Sequence, residues 1–176
     1  MSYIYHRCPE NMKGNIIYPM SELLEIYPDL FAARQKHHEF QPHVLEGSIP
    51  RLGCFWNDTL HFTALHPQKI SDELKKFGYN NIKLKYYEID ASILKPEKTI
   101  VYLNKPKEPG AHVKVTDFAD YNPNDINKYD YLSEEALNKY NKNFPTSDEF
   151  LLNYGAPYIL YKGRLDVESL KIIEIN

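Results

Sequence analysis

The chain has 176 residues, with 21 Lys plus Arg against 24 Asp plus Glu and a formal charge of -3. That length suits one domain with a core of ordinary depth. The near balance of charge argues against a general nucleic-acid binder, which would carry a strong basic excess. Hydrophobic residues make up 43% of the chain, and 15 of the residues are Tyr against 8 Phe and 1 Trp. A core built this way has polar tips at its edges, which suits half-wet sheets and ligand-lining walls.

Taken in order, the elements read as follows. The opening MSYIYHRCPE puts His6 and Arg7 where a signal peptide needs an apolar run. No stretch approaches the ~18 apolar residues of a membrane span. Residues 2–7 alternate as a short strand, with Ile4 and His6 on one face and Tyr3, Tyr5 and Arg7 on the other. Ser21 is an N-cap candidate for a helix over Glu22 to Tyr27, and Pro28 opens a second helix running to about Glu39. Gly47 to Gly53 reads as a loop, and Cys54 to Ala64 as one strand. Pro67 to Phe77 has Ile70, Leu74 and Phe77 at i, i+4 and i+7, with Gly78 where a left-handed C-cap belongs. Ile82 to Ile89 alternates, with Tyr86 expected inward and Tyr87 outward, and Thr99 to Leu103 forms a further strand. The acidic segment from Asp117 to Glu149 has one helical stretch, Ser133 to Tyr140. Phe150 to Leu152, Pro157 to Tyr161 and Leu170 to Ile175 read as closing strands.

This arrangement predicts a single α+β domain over 1–176, with helices mainly in the N-terminal half and a mixed or antiparallel sheet closed by C-terminal strands. Cys8 and Cys54 lack a C-x-x-C spacing and read as free thiols of a cytoplasmic protein with no membrane partner.

Several chemistries find no support in the residue pattern. His37 and His38 point about 100° apart on a helix, and His61 and His66 fall on opposite faces of a strand end, so no metal site is expected. There is no G-x-S-x-G elbow and no phosphate-binding glycine loop. The Lys-rich stretch 69–107 reads as a solvated face. Two places remain. His6 ends the first strand, where its imidazole can meet a ligand hydroxyl and Arg7 a phosphate. In Thr146-Ser147-Asp148-Glu149-Phe150, polar residues lead straight into an apolar strand, where a carboxylate can orient a ribose hydroxyl or stabilise developing positive charge. On residue type alone the favoured readings of the two places are a structural histidine beside a surface arginine and a solvated turn.

Taken together, Tyr3-Ile4-Tyr5-His6-Arg7, the Ile49-Pro50-Arg51-Leu52 loop with the strand after it, and Ser147-Asp148-Glu149-Phe150-Leu151 resemble the ordered scaffold of the ADP-ribosyltransferase-like superfamily. The ending Pro157-Tyr158-Ile159-Leu160 to Ile172-Ile173-Glu174-Ile175 is similar to the closing strands of its small bacterial members. The resemblance implies NAD as co-substrate, with no metal. His6 and Arg7 would match the NAD-binding first strand, Asn57 the second motif by location, and Glu149 the catalytic glutamate. A protein acceptor is one of the partners it implies. No Ser-Thr-Ser is present, and Ser147 stands where a second Glu or Gln would direct transfer to arginine.

Two functions follow. One is an NAD-dependent ADP-ribosyltransferase-like protein, active or degenerate, which requires His6 and Glu149 to face a common cleft, within ~15 Å of each other, lined by tyrosines such as Tyr3, Tyr5 or Tyr87. The other is a non-enzymatic interaction domain with a tyrosine-rich surface, which requires a flat exposed aromatic patch.

Overall fold

Each strand pairing among the described residues is antiparallel, and two sheets carry most of the core. The computed structural model describes residues 2–37, 47–78, 83–105, 112–142 and 155–175. The first sheet contains β1 (Tyr3–Arg7), β6 (Leu84–Asp90) and β11 (Lys171–Ile175), with β6 in the middle. The second has the order β5 (Leu60–Phe62), β9 (Tyr158–Tyr161), β7 (Thr99–Tyr102) and β8 (Phe118–Asp120). Two backbone hydrogen bonds between Tyr5 and Thr63, of 2.8 and 3.0 Å, join β1 to the end of β5 and so link the sheets.

Burial explains why alternation misreads β6. Side chains of successive strand residues point to opposite faces, yet Tyr86 and Tyr87 are both buried, at 1% and 7% exposure. Tyr87 therefore does not face outward. The first sheet is covered on both sides: Ile4, Tyr87 and Ile89 join the main core with Phe62, Val101 and Ile159. Tyr5, Tyr86 and Ile175 pack together in a second cluster.

Among the described residues four α-helices flank the sheets: α1 (Met20–Ile26), α2 (Pro28–His37), α3 (Pro67–Lys76) and α4 (Glu134–Lys142). Three of the four precede residue 77, so the α+β class and the N-terminal bias of the helices both hold. Ser21 is not the cap of α1, which starts one residue earlier behind Pro19 and has no side-chain cap. In α3, Pro67 needs no partner at the first position and the His66 Nδ1 accepts the Gln68 N–H at 3.1 Å. Its Ile70 and Leu74 pack on Ala136 of α4 and on Ala156.

The expected 54–64 strand is interrupted. Ser48–Ile49 (β3) pairs with Cys54–Phe55 (β4) across a turn in which Gly53 has φ +56°. A 3-10 turn over Trp56–Asp58 follows, because the Asp58 carboxylate accepts the Phe55 N–H at 2.8 Å. Asn57 therefore sits in a turn between two strands. Ile16–Ile17 (β2) and Leu165–Asp166 (β10) form a further two-stranded ribbon.

Cys8 and Cys54 are free. Among the described residues no helix is long and apolar enough to cross a membrane. The expected strand at 150–152 lies outside the described residues.

Candidate functional site

The first strand delivers His6 to the edge of the core. Its register opposite Tyr87 puts it on the core-facing side of the sheet, beside the buried pair Ile4 and Ile89. Its ring lies edge-on to Phe62, with centroids 5.3 Å apart. The His6 Nδ1 donates to the Arg7 carbonyl at 2.7 Å. A carbonyl can only accept, so the proton stays on Nδ1 and Nε2 presents a lone pair. Burial lowers the His6 pKa to about 4, against the upward pull of that backbone bond; the nearby charges of Arg34 and His61 lower it further. At neutral pH the imidazole is uncharged and Nε2 is a hydrogen-bond acceptor.

The sign of this shift gives a pH dependence. The folded state resists protonating His6 while the unfolded state binds the proton near pH 6.5. The His6 contribution is therefore fully present above pH 6.5, declines as the pH falls from 6.5 to 4, and is flat below that. Allowing for partial exposure, the loss is on the order of 2 kcal/mol. Urea unfolding at pH 7.5 and pH 4.5 is expected to show this loss in the native protein and a smaller one in His6→Gln. Equal losses in the two proteins would rule the assignment out.

Two cavities of about 330 Å³ each meet at His6. The first runs between the end of β1 and α2, and is lined by Arg7, Cys8, Asn11 and Arg34. The second lies against the 3-10 turn, and brings Asn57 and Trp56 together with Tyr18, His61, Tyr158 and the same Arg34. Aromatic rings pack edge-on along this second wall, with Trp56 5.7 Å from His61. The His61 Nε2 lies 3.2 Å from the Trp56 carbonyl. Among the described residues no carboxylate lines the second cavity, whereas Arg34, His6 and His61 all line it. Both volumes lie at the lower end of the range for small-molecule sites.

The residues singled out from the sequence distribute as follows. His6 and Asn57 come from different elements and line one cavity. The Asn57 Oδ1 is buried with no hydrogen-bond partner. Arg7 lines the neighbouring cavity and pairs with Glu10 at 3.4 Å. Glu149 lies outside the described residues, as do Ser147 and Asp148. The tyrosines differ from expectation. Tyr5 and Tyr87 are buried, with the Tyr87 hydroxyl 3.3 Å from the Met12 sulfur, and Tyr3 is exposed. The cavity takes its tyrosines from elsewhere, Tyr18 and Tyr158.

Arg34, Tyr158 and the aromatic role of Trp56 escaped the sequence reading. For Trp56 and Tyr158 no local pattern distinguishes a cavity wall from ordinary packing. For Arg34 the only signal is a charged side chain one turn after Leu30 and Phe31, on a helix whose polar and apolar residues are barely segregated. Among the described residues no group of three His, Cys, Asp or Glu side chains is arranged to hold a metal ion. No protein-family model, characterised protein or solved structure matches the chain.

Proposed function

We propose that the chain is an NAD-binding, ADP-ribosyltransferase-like protein, with the dinucleotide lying against His6. The observation that carries this reading is the convergence of His6 and Asn57 on one aromatic-walled cavity that Arg34 also lines. The residues present suit a nucleotide. The His6 Nε2 accepts from a ribose hydroxyl, because its Nδ1 proton is held by the Arg7 carbonyl. Trp56, His61 and Tyr158 offer rings against which a planar base or nicotinamide packs. The Arg34 guanidinium at the wall favours a phosphorylated ligand. Asn57 supplies a side-chain amide at the cavity wall.

When bound, NAD supplies the ADP-ribosyl group. Glu149 takes the role that the resemblance implies, orienting the nicotinamide ribose. The reading covers an active enzyme and a relative that retains binding alone, and NAD cleavage separates the two.

Thermal denaturation with millimolar NAD is the test. At a concentration 100 times Kd, binding stabilises by about 2.7 kcal/mol, a rise of roughly 5–10 °C for a chain of this size. His6→Ala is expected to remove most of that rise and Asn57→Ala part of it. Glu149→Gln is expected to retain the rise while abolishing any release of nicotinamide. No rise in the native protein would overturn the reading in favour of an interaction domain. The surface gives that alternative little material, since Tyr3 and Tyr131 are the exposed tyrosines among the described residues.

A further inference from the structure

Arg34 is the residue that the two cavities have in common with His6. It projects from the second turn of α2 and is half-buried. Burial lowers its pKa from the ordinary guanidinium value. Among the described residues it has no hydrogen-bond or ion-pair partner. Three carboxylates on the elements around it pair with other cations; Glu10 is one of these and lines the first cavity, while the exposed Glu25 of α1 lines neither cavity. Glu10 pairs with Arg7 at 3.4 Å, Asp29 with Lys13 at 2.6 Å, and Glu22 with Arg164 at 2.5 Å.

A half-buried cation without a counter-ion costs stability. Arginine rather than lysine at such a point offers a planar fork that matches two oxygens of a phosphate at once. The neighbouring groups define the rest of the ligand. His6 accepts a hydrogen bond and carries no charge, so it takes a hydroxyl next to the anion. The rings lie on one side of Arg34 only, in the second cavity. The first cavity continues on the other side, past Cys8 and Asn11.

We infer that Arg34 anchors the phosphate oxygens of a ligand that spans both cavities, with a ribose hydroxyl on His6 and a ring on the Trp56 side. This rests on the NAD reading and specifies it: the pyrophosphate sits at the junction of the cavities, and recognition depends on a helix residue outside the strand motifs.

Titration calorimetry with three probes tests the anchor: ADP-ribose, inorganic pyrophosphate, and nicotinamide riboside, which has no phosphate. Arg34→Gln is expected to weaken ADP-ribose and pyrophosphate 10- to 100-fold and nicotinamide riboside less than 2-fold. Arg34→Lys is expected to fall between, keeping the charge and losing the fork. Both variants are expected to melt at or above the native temperature, because the unpaired cation is not a structural contact. Native-like affinity for ADP-ribose in Arg34→Gln overturns the anchor and leaves the NAD reading standing. Equal losses for all three probes also overturn it. Pyrophosphate binding that depends on Arg34, in a protein that binds neither NAD nor nicotinamide riboside, supports the anchor and removes the NAD reading.

Discussion

Gly155→Ala is expected to lower the stability of the protein by about 3–4 kcal/mol. Gly155 has φ +78°, a left-handed conformation that costs an L-residue about 1–2 kcal/mol. A Cβ there would also lie 2.3 Å from the Ala136 Cβ and 2.7 Å from the Ser133 Oγ. Ala136 is fully buried on α4, so the overlap cannot be relieved by a side chain swinging into solvent. Overpacking of this kind typically adds another 1–3 kcal/mol. Thermal midpoints should fall by roughly 10 °C. The steric and conformational parts separate in a double variant. Ala136→Gly removes the opposing methyl at a helix-propensity cost of about 1 kcal/mol, and should recover part of the loss caused by Gly155→Ala. Strict additivity of the two changes would show that the contact is not the cause.

Phe62→Ala is expected to cost about 3–5 kcal/mol, the range for emptying a buried aromatic site. Phe62 is 1% exposed at the end of β5 and packs in the main core with Ile4, Ile89 and Ile159. Its second effect sets it apart from any other core deletion. The ring lies edge-on to His6 and helps keep water from that imidazole. Removing it admits solvent, so the His6 pKa should climb from about 4 towards the ordinary value near 6.5. An NMR titration of the His6 ring protons reads this directly in the folded variant, and Phe62→Leu provides a milder version if the alanine variant unfolds. A core-disrupting variant elsewhere, such as Leu74→Ala, should lower stability and leave the His6 titration where it was. A His6 pKa unmoved by loss of Phe62 would sever the link between core packing and the site.

The parts of the fold legible in the sequence are those where one face is buried and the other wet. Helix α3 was readable because Ile70 and Leu74 face the core while Lys75 and Lys76 close its C-terminus. β7 and β9 match the expected strands within a residue or two. Periodicity failed where both faces are covered, as at Tyr86 and Tyr87, because alternation then carries no information. It failed again at 54–64, where a local bond from Asp58 to the Phe55 N–H turns the chain and outweighs the β-propensity of the run.

The site divides along the same line. His6 was recognisable as a polar residue ending an apolar strand. Asn57 matched by position only, and the turn that brings it to the cavity came from a capping bond that spacing does not encode. Arg34 was hidden because α2 has no clean apolar stripe against which an inward-facing charge would stand out.

The placement of β6 has a consequence for how the chain folds. Its two neighbours come from far away along the chain: Lys171 of β11 and Glu88 of β6 meet at 2.7 Å although 83 residues separate them. β1 reaches the other edge across a similar span. Contacts so remote in sequence must be closed against loop entropy before they return any stability, so this topology belongs with the slower-folding domains. During synthesis one edge of β6 remains unpaired until residues 171–175 emerge. The strand that supports His6 is thus completed on its far side only after β1 and β6 have both been synthesised.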